Sequence, residues 1–200
     1  PWIVMPFPVV AIGKLTVFPD ARPCAGIVTV TAEALVTVAN VGTAPPFNNG
    51  IFVSSSKQQL FCWGSTAHNT IGDYLDPMLI RWSDISDYTQ WTPAVSNQAG
   101  SFRLPNGSQI TAILAVYGQN YVWTDTCVYS MQYIQFPLVW GFQPLGLNVG
   151  AVGPHSIGIL GGIPFWRGPN QFFTMAGGAP VQIECPVWDQ VFVNADPVRA

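Results

Sequence analysis

The sequence predicts an all-β, propeller-like array of antiparallel hairpins and blades, on three observations. Tryptophan recurs, because Trp82, Trp123 and Trp166 lie 41 and 43 residues apart, each in an apolar stretch that ends in a polar turn. Short runs rich in Val, Ile, Thr, Tyr and Phe alternate with turn residues, and helix signals are almost absent. A period of roughly 40–45 residues with one tryptophan per unit is typical of a four-stranded propeller blade.

The predicted strands are short, and Gly, Pro, Asn or Asp separates them every few positions. In chain order they cover residues 26–32, 34–40, 50–56, 59–63, 78–82, 109–118, 120–125, 127–134, 157–160, 164–166, 171–175, 181–184 and 190–193. Residues 136–154 are irregular, apolar and rich in Gly and Pro. We expect them to connect two blades and to pack either against a channel wall or a partner, or within the core.

Two hairpins carry the repeat most clearly. The hairpins around Trp123 and Trp166 each place the tryptophan before the turn and a methionine, Met131 or Met175, at the end of the return strand. We therefore expect them to be equivalent parts of consecutive blades. Upstream, we expect the strand that ends at Trp82 to pair with a return strand around Trp91. Trp82 is the first member of the tryptophan series, whose intervals are 41 and 43 residues.

The predicted organisation has two parts, a β-rich N-terminal segment over 1–48 that is cut from a larger domain, and propeller-like blades over 49–200. The visible blades are too few to close a ring, because propellers have at least four. The chain begins with Pro1 and ends at Ala200 without a capping pattern, so both ends look cut. We expect a portion of a longer polypeptide that holds an incomplete ring.

Charged residues make up only 8% of the chain, against roughly 25% in typical domains, while aromatic residues reach 13%. Two interpretations are open: a secreted β-protein with a Ser, Thr, Asn and Gln surface, or a subunit largely covered by neighbours. Interfaces are enriched in aromatic residues and depleted in Lys and Glu, which favours the subunit. The residues predicted to serve in the core or an interface, rather than as stacking platforms for sugars or bases, are Trp82, Trp123, Trp166, Trp91, Trp140 and Trp188.

The net charge is −3, and seven Lys and Arg residues are scattered singly, so the electrostatic footprint of nucleic-acid recognition is missing. No run of 18 apolar residues marks a membrane span. The even cysteine count permits two disulfides but no zinc site, because the spacings of Cys24, Cys62, Cys127 and Cys185 are too long. Cys62 and Cys127 lie in apolar strands, which favours free thiols.

No pattern of residues predicts catalysis, a cofactor or a metal site. A calcium or glycosidase interpretation is open for four neighbouring aspartates, Asp73, Asp76, Asp84 and Asp87. They lack the EF-hand spacing, however, and aspartate is a preferred turn residue. His68 and His155 lie 87 residues apart, and no nucleophile elbow accompanies them. The sequence therefore predicts that this chain is not an enzyme.

Several strings between residues 80 and 192 resemble one protein family. They are I-x-W-S-D at 80–84, W-T-P at 91–93, A-G-S-F-R-L at 99–104, a G-S turn at 107–108, V-W-T-D-x-x-x-Y-S-M-Q-Y-I at 122–134, F-P-L-V-W-G-F-Q-P-L-G at 136–146, F-W-R-G-P-N-Q-F-F at 165–173 and I-E-C-P-V-W-D-Q-V-F at 183–192. With these strings the chain resembles the propeller region of tail nozzle proteins of short-tailed bacteriophages, the tail tubular protein B-like family. The likeness covers residues 80–194.

The resemblance implies a structural virion protein of the phage tail, not an enzyme. Such a subunit assembles with copies of itself as a ring below the portal adaptor, contacts other tail proteins and forms the tube through which genomic DNA passes during ejection. Two alternatives stay open. One is a glycan-binding or glycan-cleaving β-propeller, with Asp73, Asp76 or Asp84 as acids and Trp91 as a stacking platform. The other is a secreted bacterial propeller that binds a protein partner. A cleft in which two carboxylates converge beside an exposed tryptophan would favour the glycan function.

Overall fold

A computed structural model describes residues 26–30, 36–41, 43–54, 56–68, 74–135 and 138–193. Over these ranges the protein is nearly all β. A two-stranded hairpin, β1 (Gly26–Val30) and β2 (Val36–Asn40), is followed by three four-stranded antiparallel sheets in chain order. The predicted all-β, propeller-like fold class is therefore confirmed.

Sheet 1 is a meander of four strands joined in sequence order. Its strands are β3 (Gly50–Ser54), β4 (Gln59–Thr66), β5 (Leu75–Trp82) and β6 (Gly100–Arg103). A four-residue loop that ends at Gln58, with φ of 51°, joins β3 to β4. The long connection over 83–99 joins β5 to β6, so β6 arrives from a loop rather than from a tight turn.

Sheet 2 repeats the meander with β7 (Ile110–Val116), β8 (Gln119–Thr124), β9 (Cys127–Gln135) and β10 (Val139–Leu147). Tyr117 and Gly118 form the two-residue turn between β7 and β8, with φ of 47° and 77°. Positive φ at both positions defines a type I′ turn, whose twist matches that of the flanking strands. Glycine takes the second position without strain.

Sheet 3 comprises β11 (Ile157–Leu160), β12 (Ile163–Arg167), β13 (Phe172–Ala176) and β14 (Ala179–Ile183). Gly161-Gly162 and Gly177-Gly178 make two further turns in which both residues have positive φ. Glycine adopts these positive φ values without strain, and a two-residue turn fixes the register of the two strands that it joins. A five-residue π-helical turn, Asp189–Val193, follows the sheet.

The three sheets stack face to face in chain order. We call the face that a sheet turns toward the next sheet its front face and the opposite face its rear face; the front face of sheet 3 points away from sheet 2. One core lies between sheets 1 and 2, where Phe61 and Trp82 meet Tyr129 and Trp140. A second core lies between sheets 2 and 3. Such stacking of antiparallel sheets is the arrangement of propeller blades.

Three element predictions are wrong, and each has a physical reason. The expected connection over 136–154 contains β10, which tolerates Pro144 because it is the edge strand of sheet 2. The strand β6 escaped prediction because its four residues start at a glycine. The predicted strand over 190–193 is part of the π-helical turn, where Phe192 packs against Phe172 with ring centroids 5.2 Å apart.

Within the described ranges, no helix is both long and apolar enough to cross a membrane. The predicted N-terminal segment, 1–48, falls partly outside the described residues, whereas its boundary with the blades lies within 43–54. The four-stranded sheets begin at Gly50 and end at Ile183.

Candidate functional site

Trp123 and Trp166 do not occupy equivalent positions, although their hairpins do. Counted from the type I′ turns, the repeat between sheets 2 and 3 is 44 residues, because Tyr117 and Gly161 take the same turn position. Trp123 therefore corresponds to Arg167. Since successive strand residues point to opposite faces, this one-residue slip puts Trp123 on the front face of sheet 2 and Trp166 on the rear face of sheet 3.

The slip makes the two tryptophans meet across the seam between the sheets. Their ring centroids are 5.7 Å apart with planes at 71°, an edge-to-face contact. Phe173 stacks on Trp166 from the neighbouring strand, at 5.8 Å. Trp166 Nε1 donates to the Val149 carbonyl oxygen over 2.7 Å, whereas Trp123 Nε1 is buried without a hydrogen-bond partner. The seam is an aromatic core held by packing.

Trp82 does not belong to the same series, which corrects the predicted repeat. It ends β5, the third strand of sheet 1, and pairs with Phe61. The residue that matches Trp123 is Trp63, because each is the fifth residue in the second strand of its sheet. The expected return from Trp82 through Trp91 is also wrong, since Asp84 accepts backbone hydrogen bonds that shape a loop there.

Trp91 and Trp140 are both buried. Trp91 lies in the 83–99 loop, where its Nε1 donates to the Tyr88 carbonyl oxygen over 2.6 Å. Trp140 lies on β10 and donates its Nε1 to Gln59 Oε1 over 2.8 Å, which ties sheet 2 to sheet 1. Because Trp91 is covered by protein, it cannot be the exposed stacking platform that the glycan alternative requires.

Trp188 differs from the other five predicted tryptophans because 42% of it is exposed. Its Nε1 donates to the Asn170 carbonyl oxygen over 2.6 Å, and its ring stacks on Phe192 at 5.8 Å. These two contacts hold the indole at the end of sheet 3 with part of its surface in water.

The front face of sheet 3 has no sheet against it in the described part of the chain. Its apolar side chains include Leu160, Ile163, Phe165, Phe172 and Val181. Leu160 is 75% exposed, and Phe172 packs against Phe192 of the π-helical turn. The corresponding face of sheet 2 is fully covered, so Trp123 and Val128 are inaccessible to solvent. The third sheet thus ends the described stack with an open apolar face.

A buried polar cluster lies on the rear face of sheet 1. Arg81 is 3% exposed, and its two terminal nitrogens donate to the carbonyl oxygens of Thr66 (3.1 Å) and Trp91 (3.3 Å). Burial lowers the pKa of Arg81, while the facing Cys62 raises it. Burial also raises the pKa of the Cys62 thiol to about 12, against the opposing effects of Arg81 and Ser65. Both groups face the protein interior, so neither is presented to a substrate.

The described aspartates of the predicted group act in turns and ion pairs. Asp76 accepts a 2.7 Å hydrogen bond from Arg103 Nε. Asp84 Oδ1 accepts from two backbone amides, and Asp87 accepts from the hydroxyl and amide two residues on, which lowers the pKa of that carboxyl. Asp73 lies outside the described residues. No convergence of two carboxylates beside an exposed tryptophan occurs among Asp76, Asp84 and Asp87.

The remaining candidates are dispersed. His68 and His155 are exposed and far apart in the chain. Free thiols are found at the three described cysteines, Cys62, Cys127 and Cys185, the first two of them buried. This confirms the expectation of free thiols at those positions, while Cys24 falls outside the described residues. In the same part of the chain, no group of three or more His, Cys, Asp or Glu side chains could hold a metal ion.

A cleft of about 350 Å³, lined by both polar and apolar surface, opens at the seam between sheets 2 and 3. The β8–β9 turn forms one wall and the β12–β13 turn forms the other, and these turns are equivalent under the 44-residue repeat. Partial burial raises the pKa of the Asp125 carboxyl. The hydrogen bonds that it accepts from Ser108 and Gln109 lower this pKa by a larger amount, so the net shift is downward. The lining residues are Asp125, Thr126, Asn148, Pro169, Asn170, Gln171 and Phe173.

The cleft was not predicted from the sequence. Its signal was present, because a polar turn follows β8 at Asp125 and another follows β12 at Asn170, but only the corrected repeat places these turns side by side. Among known proteins, no family model matches the chain and no curated protein matches it. The resemblance to tail nozzle proteins stays a prediction.

Proposed function

We propose that this chain is a structural subunit of a phage tail nozzle, which works through the faces of its sheets rather than through bond chemistry. The observation that carries the proposal is the open front face of sheet 3, defined by Leu160, Ile163, Phe165, Phe172 and Val181. Exposed apolar patches on stable proteins commonly mark interaction sites. Low charge and high aromatic content across the chain agree with extensive coverage by neighbours.

The occupant of this face is the β3–β4 side of the rear face of sheet 1 in a second copy of the chain. The β5 side of that rear face is covered by the chain itself, because Arg81 donates to the carbonyl oxygens of Thr66 and Trp91. Within one chain, each front face receives the rear face of the following sheet, so a further rear face continues the same packing. The rear side of β3 and β4 offers Ile51, Val53 and Leu60, of which Val53 is 60% exposed. Such contacts between two different faces are heterologous, and they generate a closed ring where the rotation permits closure.

A ring of this kind would also explain the partners, the location and the DNA passage of the proposed nozzle. Its other partners are the portal adaptor and further tail proteins, and its place is the virion tail. Genomic DNA passes through the lumen without specific contacts, because scattered Lys and Arg residues do not hold a phosphate backbone strongly.

Labelling of native particles tests the location. Fab fragments raised against the exposed β11–β12 and β13–β14 turns should decorate the tail of purified virions in electron micrographs. Decoration of the capsid shell alone, or recovery of the chain only from particle-free medium, would contradict the proposal. The second of these results would favour a secreted propeller.

The alternative of a glycan-binding propeller is favoured by one observation, the cleft between sheets 2 and 3, whose lining includes several side-chain amides. The glycan-cleaving form has less support, because Asp76 is ion-paired and Asp84 is occupied by backbone amides. The glycan-cleaving alternative would regain support if the protein hydrolysed a glycan and the Asp84→Asn variant did not.

A further inference from the structure

The cleft between sheets 2 and 3 is large enough to hold a small molecule. Its volume of about 350 Å³ lies at the lower end of the range for ligand pockets. Two sheets contribute its walls, so its shape depends on the seam that Trp123 and Trp166 hold together.

Uncommitted side-chain amides dominate the polar lining. The side chains of Asn148, Asn170 and Gln171 make no hydrogen bond to any described residue, although the Asn170 carbonyl oxygen accepts from Trp188. Each side-chain amide carries two donor hydrogens and one acceptor oxygen. Hydroxyl groups also donate and accept, so a row of amides is complementary to a ligand with several neighbouring hydroxyls.

The charge in the cleft selects against anions. Asp125 is the single ionisable residue in the lining, and its two oxygens already accept hydrogen bonds from the Ser108 amide (2.8 Å) and hydroxyl (2.5 Å). The carboxylate is thus fixed and ionised near neutral pH, and neither Lys nor Arg lines the cleft to offset it. The Asp125 carboxylate would repel an anionic ligand in the cleft. A neutral polar ligand could still donate hydrogen bonds to the free lone pairs of the carboxylate oxygens.

Apolar surface is also present on the floor and at the rim. The rings of Phe173 and Pro169 line the cleft. Trp188 does not line the cleft: its Nε1 donates to the Asn170 carbonyl oxygen, while its ring stacks on Phe192. Aromatic rings next to amides suit a molecule with one C–H face and a border of hydroxyls.

We propose that this cleft, here named the amide cleft, binds a neutral sugar unit of a glycan, with Asn148, Asn170 and Gln171 holding the hydroxyls and Phe173 and Pro169 contacting the C–H face. The inference does not depend on the nozzle assignment, because a virion protein or a secreted protein could use it equally. It also requires no bond cleavage.

Saturation-transfer-difference NMR on the full chain tests the proposal. The probes are free glucose, galactose, mannose and N-acetylglucosamine at millimolar concentration, with glucuronate and N-acetylneuraminate as anionic counterparts. We expect a signal from at least one neutral sugar and none from the two anions. Absence of signal from all four neutral sugars, or signal from the anions alone, would overturn the proposal.

Variants locate the signal. Asn170→Ala combined with Gln171→Ala should weaken binding at least about tenfold, the loss expected when one or two hydrogen bonds disappear. Gln132→Ala is the matched control, because Gln132 is an exposed amide on sheet 2 that does not line the cleft. Unchanged binding in the double variant, or equal weakening in the control, would show that the sugar binds elsewhere. Far-UV circular dichroism of each variant verifies that all of them remain folded.

Discussion

Trp123 and Trp166 meet edge to face across the seam between sheets 2 and 3, with ring centroids 5.7 Å apart. Trp123 comes from the front face of one sheet and Trp166 from the rear face of the next, so the pair joins two blades rather than marking one position in each. Both rings are almost completely buried. The pair lies at the centre of the core that joins sheets 2 and 3 and supports the amide cleft beside it.

Replacing Trp123 with alanine should lower the free energy of unfolding by about 3–5 kcal/mol, the usual cost of a large buried cavity. Trp123→Phe should cost much less, because it keeps most of the ring and removes an Nε1 group that has no partner. Chemical denaturation of both variants measures the difference. Trp188→Ala, which changes a half-exposed tryptophan, serves as the control, and a Trp123→Ala protein as stable as that control would contradict the packing described here.

Gly100 should tolerate no side chain. An added Cβ would lie 2.7 Å from the Trp82 ring, which is itself packed in the core and cannot withdraw. Gly100→Ala should therefore destabilise the protein by about 1–3 kcal/mol through overpacking. Gly158→Ala is the matched control, since a Cβ there meets nothing within 4 Å and Gly158 also lies in a strand. Equal melting temperatures for the two variants would refute the close approach.

The Cys62 thiol should resist alkylation in the folded protein. Burial raises its pKa from 9.0 to about 12, so at pH 9 the thiol ionises readily only after unfolding. Because the folded pKa is raised, this group's contribution to stability is complete below 9.0 and disappears as the pH rises toward 12. Iodoacetamide labelling at pH 9 with peptide mapping should modify the half-buried Cys185 first. Labelling of Cys62 at the rate of Cys185 without denaturant would disprove this.

Asp125 should contribute to stability only above the acid range. Its folded pKa is lowered, so the contribution is present above its ordinary value of 3.8 and disappears as the pH falls through the lower folded value. Asp125→Asn should cost no more than about 1 kcal/mol near pH 7, since the group is partly exposed. Thermal melts from pH 7 to 2.5 should show parent and variant converging in acid. A gap that stays constant with pH would exclude the ionised carboxylate as its cause.

The fold class was predictable because local signals agreed with one another. Alternating apolar residues defined the central strands, and Gly161-Gly162 defined a type I′ turn. The exact length of the repeat was harder to predict from the sequence. Tyr117, at a φ of 47°, occupies a turn position that usually takes Asn, Asp or Gly, so the turn was not evident. Tryptophan spacing then suggested 43 residues where the turns show 44.

Edge strands and the cleft were beyond sequence reasoning for a different reason. Strand β10 contains Pro144 and Gly146, whose unfavourable propensities are acceptable at a sheet edge and are offset by the packing of Trp140. The amide cleft joins Asp125 with Asn170, which are 45 positions apart. Only the stacking of one sheet on the next brings such residues together.

Sedimentation velocity on the full chain tests the central claim that the front face of sheet 3 is an assembly surface. The parent should form one closed oligomer of defined mass. The double variant Ile163→Glu, Val181→Glu should sediment as a monomer, because it charges that face. The control Val95→Glu, at a 93% exposed loop valine, should assemble like the parent. A parent that stays monomeric, or a double variant that assembles as well as the control, would contradict the account.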